Sequence, residues 1–115
     1  MKIIIQCAGS KQKEAPCFQT EKGKNVLFVA QPELTGQSLS YEYCSPDEVN
    51  SKNTTWRQEL VEYNKTGRNE QNLLPAYKLY SNDIYRKLVY QFGAENVFIL
   101  SAGWGLINSV FLTPN

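Results

Sequence analysis

Apolar residues in this chain gather in three short unbroken runs and one periodic stripe. Ile3-Ile4-Ile5 opens the first run, and its branched side chains favour extended backbone over 2–7. Asn25-Val26-Leu27-Phe28-Val29-Ala30 is the second, stopped by Pro32. Val97-Phe98-Ile99-Leu100 is the third, read as a strand over 96–101. None of the three alternates with polar residues, and each predicts a strand, the first buried and the third covered on both faces. The stripe is Ile84, Tyr85, Leu88, Val89 and Phe92, at helical spacing. It predicts a helix over 82–92, capped by Ser81 or Asn82 and ended by Gly93. Thr55-Trp56-Arg57-Gln58 matches a capping box, which predicts a second helix over 55–65.

Between these elements the pattern is weaker. Residues 11–24 are polar and read as a loop, and 33–53 has no period at all. Ser45-Pro46-Asp47-Glu48 carries the signals of a short helix start. Leu73 to Tyr77 reads as one or two helical turns, and 108–112 as a short helix or an edge segment. After Leu100 the residues turn small at once, and Ser101-Ala102-Gly103-Trp104-Gly105 predicts a turn followed by a helix.

Strands alternating with helices predict an α/β domain over 1–115, with a small, mostly parallel sheet. Three strands make a thin sheet. The chain therefore reads as the N-terminal part of a larger domain, or as one whose sheet a partner completes, for example in a homodimer.

Composition narrows the chemistry. The 115 residues are 42% hydrophobic with a formal net charge of +1, so no overall field argues for nucleic acid or a membrane. Charge is uneven, with five Lys against two Glu in residues 1–24. There is no His, which removes Ser-His triads and His-ligated metal. Cys7, Cys17 and Cys44 form no Cys-x-x-Cys pair, so no metal or cofactor is expected. The opening apolar run is too short for a signal peptide or a span. That predicts a cytoplasmic protein with reduced thiols, in which the Asn53-Thr54-Thr55 and Asn64-Lys65-Thr66 sequons are chance matches.

In parallel sheets ligands collect at the carboxyl ends of strands, and two small-residue loops follow such ends here. Gly9, Ser10 and Lys11 follow the first strand, where backbone amides and a lysine can hold an anion. Ser101, Gly103, Trp104 and Gly105 follow the third. The Gly-x-Gly reads as a tight turn or as half of a phosphate loop, with Asn108 where a third glycine would stand. Trp104 reads as a packing residue or a stacking platform for a base. Cys7 reads as a small buried residue or a lysine-activated nucleophile, and Asp83 as a helix-start charge or a catalytic carboxylate.

Three segments together are similar to a family. Ile-Ile-Gln-Cys-Ala-Gly-Ser-Lys at 4–11 resembles a strand followed by Cys-Ser-x-x-Lys. Leu79-Tyr80-Ser81-Asn82-Asp83 resembles a Leu-Tyr step before a capped helix, and 100–106 resembles Leu-Ser-Ala-x-x-Gly-Leu. These are hallmarks of largely uncharacterised domains of unknown function. That group is distantly related to the peroxide-stress proteins and to a domain accompanying the transglycosylases of deazaguanine-modified nucleic acid. The opening departs from the pattern, since Ser10 is displaced from the place beside Cys7. The resemblance implies a Rossmann-like, three-layer fold with a pocket at the strand ends for a nucleotide, nucleobase or nucleic acid. It adds Tyr80 to the candidate site. Three functions stay open: a binding domain, an enzyme acting on nucleotides through N-glycosidic bonds, and a scaffold fragment without ligand.

Overall fold

The computed structural model describes residues 1–7 and 10–115. It is an α/β arrangement in which small mixed sheets share one core. Strands β1 (Ile3–Gln6) and β5 (Val97–Ser101) are parallel neighbours, and β6 (Gly105–Asn108) runs antiparallel on the far side of β5. The register pairs Ile5 with Ile99 and Ile99 with Ile107. Strands one and five thus end on the same edge, and the Cys7 amide continues the ladder by donating to the Leu100 carbonyl at 2.9 Å.

The remaining strands depart from the expected single sheet. β2 (Asn25–Phe28) pairs in parallel with β3 (Tyr41–Cys44), not with β1 or β5. The partner lies in the stretch that showed no period, although Tyr41 and Tyr43 alternate with the exposed Glu42. β4 (Leu74–Pro75) pairs antiparallel with β7 (Leu112–Thr113), so part of the expected helical segment at 73–77 is extended. The Ser45-Pro46-Asp47-Glu48 signals yield a single turn, closed by the Glu48 amide on the Ser45 carbonyl at 3.2 Å.

Helix α1 (Trp56–Thr66) begins with the reciprocal bonds of its capping box. The Gln58 amide donates to Thr55 Oγ1 at 3.1 Å, and the Thr55 amide to Gln58 Oε1 at 2.9 Å. Gly67, at φ 71°, ends it in the left-handed region. One turn, α2 (Ala76–Leu79), precedes α3 (Ile84–Phe92), whose first amide donates to Asn82 Oδ1 at 3.0 Å. No helix among the described residues is long and apolar enough to cross a membrane.

The helix expected after the glycine turn is absent. Residues 102–104 close a hairpin from β5 into β6, with Ser101 paired to Gly105. Gly105 sits at φ 79°, where a three-residue hairpin loop favours glycine. The full coverage of the third run is also corrected. Val97, Ile99, Ser101 and Ile107 are buried on one face, while Ile4, Leu100 and Leu106 on the other are 64%, 44% and 55% exposed.

The core is aromatic. Phe18 stacks on Trp56 at 6.1 Å between ring centroids, and Phe28 meets Trp56 at 5.6 Å and Trp104 at 4.8 Å. Leu60, Val26 and Cys44 close around them. The last residues thread into this core: Thr113 and Pro114 are fully buried, and Asn115 donates its amide to the Pro16 carbonyl at 3.0 Å.

Burial pushes the Cys44 thiol up to about 11 from 9.0, and the carboxylates of Glu48 and Glu42 add to the shift. A raised acid pKa means that stability is complete below the unfolded value and is lost as pH rises through the folded one. Melting temperatures measured from pH 9 to about 11 should therefore fall more steeply for the wild type than for Cys44→Ala. Parallel slopes would remove this group from the alkaline transition.

Candidate functional site

Lys11 is the polar group around which the strand ends meet. A short antiparallel bridge pairs it with Tyr80 and fixes its backbone. On either side of that bridge, the Gln12 amide donates to the Leu79 carbonyl at 2.7 Å and the Ser81 amide to the Ser10 carbonyl at 2.8 Å. The Ser81 hydroxyl adds a second bond to Ser10, at 2.7 Å. From this anchor the half-buried side chain reaches the end of β2, where Nζ donates to the Phe28 carbonyl at 3.2 Å. Desolvation lowers the Lys11 pKa below its ordinary value, and the nearby Cys7 and Cys17 thiols act in the opposite direction.

Behind the lysine, Tyr80 is buried, and burial pushes its phenol up to about 12. A hydrogen bond with the Ser101 side chain works against that rise, while Cys7 and Tyr85 reinforce it. Cys7, Lys11, Tyr80 and Ser101 are thus brought together at the joint carboxyl end of β1 and β5. Burial also raises the Cys17 thiol pKa, with Lys11 opposing. Ser10 is exposed, and Gly9 lies outside the described residues.

In front of the lysine lies an open cleft of about 680 Å³. Lys11, Lys13, Glu14 and Cys17 form one wall. Asn25 and Leu27 on β2, with Val29 just past its end, form the other, and Tyr41 and Asn115 border it. The volume lies within the usual range for small-molecule sites. Sequence reasoning missed Asn25 and Tyr41, because their place depends on the pairing of β2 with β3. The alternation of Tyr41 and Tyr43 was the available signal.

The second glycine loop does not border this cleft. Arg57, on the first turn of α1, donates to the Trp104 carbonyl at 2.7 Å and the Gly103 carbonyl at 2.8 Å. It also holds Asp47 at 2.8 Å, which keeps that carboxyl below its usual range. The Trp104 amide donates to Ser101 Oγ at 3.1 Å. Its indole is 5% exposed, in contact with Phe28 and 5.9 Å from the Arg57 guanidinium carbon, which is the packing arrangement. A Cβ on Gly103 would come within 3.3 Å of Pro46. Gly103, Trp104 and Gly105 thus form a pinned hairpin, and no helix N-terminus follows to receive a phosphate.

Arg57→Ala should destabilise the protein by about 2–3 kcal/mol in urea denaturation, because two turn carbonyls lose a charged donor. A change under about 0.5 kcal/mol would place it among ordinary surface substitutions and deny the clamp.

Asp83 stands apart at the start of α3, exposed and 3.4 Å from Lys87. It lines a shallow surface with Arg86 and Tyr90, not the Lys11 cleft. Among the described residues, no group of three or more Cys, Asp or Glu is disposed to hold a metal ion. Comparison of the chain with family models, curated proteins and solved structures yields no match.

Proposed function

We propose that this domain binds a small anionic ligand of the nucleotide class in the cleft beside Lys11. The observation that carries the reading is the Lys11 ammonium. It is half-buried, its one hydrogen bond goes to a main-chain carbonyl, and no carboxylate among the described residues pairs with it. Holding a cation partly out of water is unfavourable unless an anion compensates. Lys13 adds charge, Tyr41 adds an aromatic surface for a base, and the Asn25 amide adds a donor and an acceptor. Glu14, the acid on the wall, would select against a ligand whose negative charge extends along that side.

The motif resemblance belongs to the same proposal, and with it the Rossmann-like, three-layer arrangement and a cytoplasmic location. A binding role is favoured over glycosidic chemistry, because Glu14 has no facing carboxylate among the described residues of the cleft.

A thermal-shift panel of nucleotides, nucleobases and inorganic phosphate tests the reading. A ligand at 100 times its Kd should stabilise the domain by about 2.7 kcal/mol. That corresponds to a rise of roughly 10 °C for a domain of this size. No shift with any member of the panel would contradict it.

A further inference from the structure

We infer that Lys11 is a reactive amine that forms an imine with a carbonyl-bearing anion, such as a phosphorylated aldehyde, bound in the cleft. The inference rests on the anion-binding reading and specifies the ligand further, with Lys13 on the same wall holding the anionic group while Lys11 meets the carbonyl. Its basis is the setting of the amine. Nζ is anchored by the Phe28 carbonyl at 3.2 Å, borders an open cleft of about 680 Å³ and has no carboxylate partner among the described residues. The other lysines lie away from the cleft, except Lys13, which borders it but is exposed. Lys52, Lys65 and Lys87 pair with Glu59, Glu62 and Asp83 at 3.1, 3.5 and 3.4 Å. Lys24 donates to the Ser38 carbonyl, and Lys2 and Lys78 lie over aromatic rings.

An ordinary lysine is about 0.1% unprotonated near neutrality, and a carboxylate partner lowers that fraction further. Desolvation works the other way at Lys11, favouring the neutral amine that attacks carbonyls. The Nζ lone pair forms a bond to the carbonyl carbon, and the carbonyl oxygen takes up a proton. The resulting carbinolamine expels that oxygen as water, using the proton left on nitrogen. Amine and carbonyl thus become imine and water, with no change of oxidation state.

The test is reductive trapping with substoichiometric pyridoxal 5′-phosphate and cyanoborohydride on the full chain, followed by peptide mapping. Pyridoxal, which lacks the phosphate, serves as the control. Lys11 should carry the main adduct, ahead of the exposed Lys13 on the same cleft. Lys11→Arg, which keeps the charge and removes the nucleophilic amine, should lose the label. Label spread over Lys13 and Lys22 according to exposure overturns the inference. A nucleotide shift without a Lys11 adduct overturns the amine role and leaves the anion site standing. Equal labelling of Lys11 by both aldehydes, with no nucleotide shift, sustains the amine and overturns the anion site.

Discussion

Lys11→Met should weaken nucleotide binding by about 10–100-fold, the worth of one charge-assisted hydrogen bond. The unliganded protein should stay within about 1 kcal/mol of wild type. The Phe28 carbonyl loses a donor, but a partly desolvated charge leaves with it, and methionine fills similar space. Titration calorimetry at low salt reads the affinity, and urea denaturation reads the stability. Unchanged affinity would show that the ligand is held elsewhere. A large loss of stability would show that Lys11 serves the fold.

Leu60→Ala should cost about 3–4 kcal/mol, within the usual range for removing a fully buried leucine. Leu60 is 0% exposed and sits on the inner side of α1, in the cluster that contains Phe18, Trp56 and Trp104. Stacked and edge-on rings do not collapse easily into a void, so most of the cavity should persist. Since a domain of this size has only about 5–15 kcal/mol in all, the variant should unfold at a markedly lower urea concentration. Val61→Ala on the same helix should change stability far less, because Val61 is 41% exposed. Equal effects of the two would mean that α1 does not pack as described.

Local signals were legible where the physics is local. The Thr55–Gln58 box, the glycine stops at Gly67 and Gly93, and the stripe from Ile84 to Phe92 each depend on neighbours within a turn or two. The parallel run of β1 and β5 was also legible, because both strands are apolar and small residues follow each. Three features were not. Ile4, Leu100 and Leu106 look like core residues in the sequence, yet one face of their sheet is open. Gly103-Trp104-Gly105 fits a loop before a helix as well as a hairpin, and only the pairing of Leu100 with Leu106 decides between them. Arg57 reaches a turn 46 and 47 residues away, and nothing in its own neighbourhood announces that contact.

The site divides in the same way. Lys11 stood out as a lysine just past a strand end. The wall opposite it comes from β2 and Tyr41, which follow from a pairing that the aperiodic stretch concealed. Cys7 and Ser101 stand where β1 and β5 end, with Tyr80 beside them, and none of the three lines the cleft.

Amide-resolved NMR titration with a nucleotide tests the central claim most directly. Shifts should concentrate at residues 11–15, at Asn25 and Leu27 on β2, and at Tyr41. Shifts confined to the hairpin at 102–105, or to the surface around Asp83 and Tyr90, would contradict the account. So would a spectrum that does not change.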